Sequence, residues 1–157
     1  MTTNTDGELP GQTTSFWRDT ATTPARAPLG DITEAEVCVV GAGIAGLTAA
    51  YLLAREGRRV VVLDDGPVGG GETGQTSAHL SPILRERYKD LESMHGKDGA
   101  RAIADAHRAA IDTIEEIAQR EAIACEFERL DGHLVLGRDD KPDLLLREHE
   151  ALGRAGI

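Results

Sequence analysis

Three glycines stand in the spacing Gly41-Ala42-Gly43-Ile44-Ala45-Gly46, and Asp64 follows 23 positions after the first of them. Residue types in this order could hold a dinucleotide. Gly41 would let the chain leave a strand in a tight turn. Gly43 has no β-carbon, so a pyrophosphate could approach the backbone there. Gly46 would let the next helix pack closely on the sheet. The N-terminus of that helix would offer free N–H groups and a partial positive charge to the phosphates. Asp64, with Asp65 beside it, would accept hydrogen bonds from adenosine ribose hydroxyls. A carboxylate there also repels a 2′-phosphate, which disfavours NADP.

A lone G-x-G-x-x-G is weak; its neighbours decide whether it means anything. Val37-Cys38-Val39-Val40 is apolar throughout and predicts a buried parallel strand, with Cys38 inside it. After Gly46, Leu47, Ala50, Tyr51, Leu53 and Ala54 recur on one helical face, and Gly57 stops the helix. Val60 to Leu63 predicts a second buried strand that ends at Asp64. Strand, glycine turn, helix, strand and terminal acid together form a specific signal.

A second glycine loop comes directly after. Residues 65–80 are dense in small side chains and include Gly69-Gly70-Gly71-Glu72-Thr73-Gly74-Gln75-Thr76-Ser77-Ala78-His79. Consecutive glycines let backbone N–H groups turn into one concavity, which suits an anion. Thr73, Thr76 and Ser77 add hydroxyl donors.

The remaining elements frame this site. Residues 1 to about 35, rich in Thr, Pro, Gly and acids, read as an extended arm. Phe16 and Trp17 interrupt it, and Trp17 is the only tryptophan. A residue of that kind in a polar arm predicts that Ser15 to Thr20 docks on the body as a tether. An amphipathic helix is expected over 85–95, ended by Gly96, and a longer one over 98–121. The apolar face of the longer helix is Ala100, Ile103, Ala104, Ile111, Ile114, Ile117 and Ala118. His107 on that face reads as an interfacial histidine. Residues 123–130 and 133–137 predict two strands around Asp131-Gly132, a hairpin signal. Pro142 opens a last helix through Leu144, Leu145, Glu148 and Leu152, to end at Gly153 or Gly156.

The fold class is therefore α/β: a Rossmann-like FAD/NAD(P)-binding βαβ unit, incomplete, followed by helices and a β-hairpin. A doubly wound sheet needs several parallel strands, and two are legible. The expected organisation is an arm over 1–35 and, over 36–157, the N-terminal part of a nucleotide-binding domain that continues beyond the chain.

Composition narrows the function. The formal net charge of −10 argues against nucleic acid and against an anionic membrane surface. No apolar run approaches a membrane span. The N-terminus lacks a basic and hydrophobic leader, which points to the cytoplasm. Aromatics make up only 3%, so the core must be Ala, Val, Leu and Ile. The two cysteines, Cys38 and Cys125, form no C-x-x-C and cannot build a metal site alone. They read as reduced core thiols, and no metal is expected.

Two motifs carry a resemblance: Gly41 to Leu47 with Leu63-Asp64, and Gly69 to His79. Through them the chain resembles the N-terminal part of the FAD-dependent oxidoreductases of the D-amino acid oxidase type, which include glycine oxidase, sarcosine oxidase and D-amino acid dehydrogenase relatives. The likeness is good over 36–137 and looser from Ser15. It implies FAD as cofactor, bound by Gly41 to Gly46, Asp64, Asp65, Gly71, Thr73, Gln75, Thr76, Ser77 and Ala78. The second loop would wrap the pyrophosphate and flavin side. Gln75 stands where some members carry Arg, and Asp64 where the family usually has Glu. His79 reads as fixing the loop, with approach to the flavin ring the alternative.

The resemblance further implies oxidation of a small-molecule amine or amino acid by hydride transfer to flavin. Its substrate pocket would be built outside this chain, so no catalytic residue is named. Ser15-x-Trp17 and Thr76-Ser-Ala-His-Leu80 resemble a bacterial subgroup that often carries a C-terminal Rieske [2Fe–2S] domain. Two other functions fit the βαβ unit: an NAD-dependent dehydrogenase, and a noncatalytic nucleotide-binding subunit completed by another chain. The second glycine loop and the lack of further βαβ units favour the flavin.

Overall fold

The computed structural model describes residues 14–23, 26–30, 34–138 and 140–157. The chain divides into two compact units, one through Ala78 and one from His79.

The first unit is built on β1 (Val37–Val40), α2 (Ile44–Arg55) and β2 (Val60–Leu63), preceded by a short helix, α1 (Phe16–Thr20). β-Branched runs suit strands. β1 and β2 pair in parallel, Val37 with Val60 through Val40 with Leu63. The helical crossover is what a parallel pair requires. Side chains alternate along β1. Val37 and Val39 are half-buried, whereas Cys38 is exposed and Val40 is 84% exposed. The expected burial of Cys38 is thus corrected. It lies on the strand face that no described element covers.

The arm departs from a purely extended reading. Ser15 caps α1, its hydroxyl oxygen accepting from the Arg18 N–H at 3.3 Å. The rest of the predicted arm falls partly on residues 1–13, 24, 25 and 31–33, outside the described residues.

The second unit is a helix pair, α3 (Tyr88–Arg120) and α4 (Pro142–Ala155). Gly96 interrupts α3 with φ 72° and ψ 170°, so the two helices expected on either side of it are present, joined by a kink. The core is Tyr88, Leu91, Ala100, Ala104, Ala151 and Ala155, with Leu84, Ile103 and Leu152 packed at its edge. Alanine at the contact lets two helices approach closely. α4 begins at Pro142 and ends at Gly156, which takes a left-handed cap with φ 82°. Both ends agree with the sequence signals.

One polar residue is buried in this core. Glu148 is 1% exposed, and its carboxylate accepts from the N–H groups of Tyr88 (2.8 Å) and Lys89 (3.1 Å). Arg87, at the N-cap of α3, makes no side-chain cap. Glu148 from α4 takes that role, satisfying donors that a helix start leaves open and placing negative charge at the positive end of the dipole.

The expected hairpin is the second correction. Residues 123–130 and 133–137 contain no strand. Ala122 and Glu126 adopt positive φ (52° and 51°), which breaks extended pairing. Cys125 is exposed. Leu130 and Val135 are 77% and 74% exposed. Arg129 instead ties the segment to α3 through Asp112 and Glu115, each at 2.6 Å. An isolated two-stranded hairpin is marginal without a sheet or helix to cover it.

Glu148→Ala should leave one buried and one part-buried helix-start donor without partners, at a cost of about 2–4 kcal/mol. Urea unfolding of the intact protein measures this. Glu148→Gln keeps one acceptor oxygen and should lose less, and equal stability of all three proteins would contradict the capping role.

Candidate dinucleotide site

The β1–α2 turn sets the geometry. Gly41 has φ 104°, a conformation that side chains disfavour, and its N–H donates to the Leu63 carbonyl at 2.8 Å. The chain thus leaves β1 while still bonded to β2. A β-carbon at Gly46 would overlap the Gly41 carbonyl oxygen and lie 3.2 Å from Val39 Cγ1. The absence of a side chain at Gly46 is what lets α2 start directly above the turn.

Asp64 closes the turn from the end of β2. One carboxylate oxygen accepts from the Ala42 N–H at 2.5 Å, the other from the Gly66 N–H at 2.8 Å. These donors, Ala42 first and Gly66 next, hold the Asp64 carboxyl below its ordinary value, with a small opposing effect of burial. Asp65 also hydrogen-bonds this carboxylate, and what is left of its roughly four acceptor positions is open to ribose hydroxyls.

The second glycine loop lies against the same turn. The Gly69 N–H donates to the Ala42 carbonyl at 2.9 Å, and the Gly70 N–H to Pro67 at 2.8 Å. These glycine N–H groups fold the loop and stitch it to the turn; they do not point into a common concavity. Gly74 sits in a 3-10 turn over Glu72–Gln75. Thr73 in that turn reaches the start of α2, where its hydroxyl oxygen accepts from the Ile44 N–H at 3.0 Å. The hydroxyl proton stays available to donate. A β-carbon on Gly43 would stand 3.2 Å from Thr73 Oγ1, so bare backbone at Gly43 keeps this approach open. The Gly43 N–H has no acceptor among the described residues.

These pieces border an open groove of about 620 Å³, within the roughly 300–1,000 Å³ common for small-molecule sites. Of the residues expected from sequence, Gly41 to Gly46, Asp64, Asp65, Gly71 and Thr73 line it. Gln75, Thr76, Ser77 and Ala78 do not, and His79 is exposed. Gly66, Pro67, Gly70 and Glu72 also line it. Gly70 and Glu72 belong to the second glycine loop that the sequence singles out, whereas Gly66 and Pro67 carry no such signal and enter through the backbone path between Asp64 and that loop. An N–H donor at a helix start, a free hydroxyl proton and a carboxylate with spare acceptor capacity suit a dinucleotide with pyrophosphate and ribose. The residues present fit FAD on this ground. Among the described residues, no group of His, Cys, Asp and Glu could hold a metal ion.

Residues 36–157 match the FAD dependent oxidoreductase (DAO) family. The chain belongs to that family, which is FAD dependent. It is 31% identical over 143 residues to the "Putative Rieske 2Fe-2S iron-sulfur protein YhfW" of Bacillus subtilis, covering 91% of this chain and 28% of that protein. It is 32% identical over 124 residues to the "Probable oxidoreductase OrdL" of Haemophilus influenzae, covering 79% and 29%. It is 31% identical over 115 residues to the gamma-glutamylputrescine oxidoreductase of Escherichia coli, covering 73% and 26%. The chain therefore spans less than a third of each of these relatives. No solved structure matches. Among the described residues, no helix is long and apolar enough to cross a membrane.

Two measurements test this geometry. Gly46→Ala should destabilise the protein by about 1–3 kcal/mol through overpacking, whereas Gly153→Ala, where a β-carbon meets nothing within 4 Å, should be neutral or mildly stabilising in a helix. Equal melting temperatures for the two variants would contradict the close approach. Asp64 should titrate by NMR below the ordinary 3.8. Its folded value is lowered, so its stabilising contribution is complete above the ordinary range and is lost as pH falls through the depressed value. The Ala42 and Gly66 amide shifts should move with the same midpoint; a midpoint at or above 3.8 would show that those bonds are not made.

Proposed function

We propose that this chain is the cofactor-holding N-terminal part of an oxidoreductase that oxidises an amine or amino acid. The observation that carries the reading is the groove itself: a glycine turn closed by Asp64 and faced by Thr73 of the second glycine loop. Family membership identifies the dinucleotide as FAD rather than NAD. The name of the Escherichia coli relative, a putrescine derivative, supports an amine as substrate class. Bound FAD would accept a hydride from the carbon next to the substrate nitrogen, leaving an imine that water hydrolyses.

The chain's own residues bind and orient. Asp64 receives the ribose hydroxyls on its remaining lone pairs. The Gly43 N–H and the Thr73 hydroxyl proton face the pyrophosphate. Gln75, Thr76, Ser77 and Ala78 would act on the cofactor as the continuation of the loop that carries Thr73. The likeness to YhfW, named as a Rieske protein, supports a Rieske [2Fe–2S] domain further along the whole protein.

The intact protein should purify yellow and release FAD on denaturation. Recovery of bound NAD without flavin would return the reading to a nicotinamide dehydrogenase, and no nucleotide at all would overturn the cofactor reading. Asp64→Ala removes a charged acceptor and should weaken FAD binding about 10- to 100-fold. Asp65→Ala should matter less, because Asp65 lies one residue past the end of β2 and its bonds to the Asp64 carboxylate rank below those of Ala42 and Gly66. Equal losses from both would place the acid wrongly.

A further inference from the structure

Among the described residues, α1 docks on the 3-10 turn of the second glycine loop. The Ser15 hydroxyl donates to the Gly74 carbonyl. The Trp17 indole N–H donates to the Thr76 carbonyl at 2.9 Å. The methylenes of Arg18 cover Gly74, whose added β-carbon would lie 3.2 Å from Arg18 Cγ. Two directed bonds and one packing contact thus grip residues 74–76 from the side of α1. Thr73, next in the same turn, reaches the Ile44 N–H. The turn is held between the arm and the start of α2.

The exposure of the aromatics decides what this contact does. Phe16 is 67% and Trp17 40% exposed, and α1 has no buried residue. The two rings meet edge to face, centroids 5.2 Å apart, and leave much of their surface in solvent. A segment that served the fold alone would bury that apolar area, the main source of stabilisation. This one hides little and spends its polar groups on two carbonyls of the loop. The net stabilisation from two such bonds is modest, but they fix the position of Thr73.

We infer that Ser15 and Trp17 are positioning residues for the cofactor: the N-terminal arm clips the second glycine loop so that Thr73 presents its hydroxyl to the pyrophosphate. The inference rests on FAD occupying the groove. Neither residue touches the cofactor; both act through the 74–76 backbone. Because coupling between binding events is reciprocal, FAD must also hold the arm down.

The intact protein tests this in two ways. Apoprotein is reconstituted with FAD, and the dissociation constant is measured for wild type, Ser15→Ala and Trp17→Phe, the last keeping a ring but losing the N–H. Each variant should bind FAD about 3- to 10-fold more weakly, while the melting temperature of its apoprotein stays at the wild-type value. In parallel, tryptic cleavage after Arg18, read by mass spectrometry, should slow when FAD is added to wild type and slow less in Trp17→Phe. Unchanged affinity in both variants would overturn the inference. So would a loss of affinity that merely follows a lower apoprotein melting temperature, which would make the arm a brace of the fold. Cleavage after Arg18 that ignores FAD in wild type would overturn it even if a variant failed to fold. A wild type that binds no FAD is a different result: it removes the cofactor reading first.

Discussion

The closeness of α2 to the β1 turn is the constraint on which the first unit depends. α2 begins above the Gly41 carbonyl, at a distance only a glycine at position 46 permits. A methyl group there would push the helix start outward. The Ile44 N–H would then leave the reach of Thr73, and the loop would lose one of its two attachments to the turn, the other being Gly69 to Ala42. Asp64 depends on the same placement, since its bond to the Ala42 N–H spans from the end of one strand to the start of the turn after the other. One missing side chain thus aligns a helix terminus, a carboxylate and a hydroxyl around a single groove. A dipole at a helix end acts within its last turn, so alignment over this range is what makes the groove suited to an anion.

The second unit solves a related problem with opposite means. Its helices have few large side chains to bury, and alanines form most of the contact between α3 and α4. Close backbone approach replaces bulk. The start of α3 enters that contact with the Tyr88 N–H buried and the Lys89 N–H part-buried, and an unpaired buried donor is costly. Glu148 answers both needs, offering two acceptor oxygens and a charge of the right sign. At the outer edge, Arg154 pairs with Glu92 through two parallel bonds of 2.8 Å. The Arg154 partner holds the Glu92 carboxyl below its ordinary value. The pair is part-exposed, so its contribution is small beside that of the buried carboxylate.

How much of this was legible follows the range of the interactions. The strands, the glycine turn, the terminal acid, the kink at Gly96 and the cap at Gly156 are encoded within a few residues of where they act, and the sequence shows them. Cys38 looked buried because four apolar residues in a row suggest a strand covered on both faces. Whether a face is covered depends on distant elements, and none of those described lies over it. The hairpin failed for the same reason: alternation and Asp131-Gly132 are local signals, but a hairpin persists only against a partner surface. Trp17 was legible as an anchor, yet its landing place was not. Its acceptor is 59 positions away, and Glu148 lies 60 positions from the Tyr88 N–H it caps. Each bond has a backbone group at one end, the Thr76 carbonyl in the first and the Tyr88 N–H in the second, so side-chain pattern carries no trace of the pairing.

The charge of the chain sharpens the role of the glycine turns. At a net charge of −10 the protein repels a pyrophosphate at long range. Beyond about 8–10 Å that repulsion is screened at physiological salt, so the outcome is decided inside the groove. Among the described residues no arginine or lysine lines the groove, and two acids, Asp65 and Glu72, line it beside Asp64. An anion there must be held by backbone N–H groups and a hydroxyl, whose partial charges act only at contact. Such donors are useful only if fixed in direction before the ligand arrives, because they cannot swing toward it as a lysine can. That requirement explains why so much of the first unit — Gly46, Asp64, the Gly69 stitch and the arm on residues 74–76 — goes into immobilising two short loops rather than into a core.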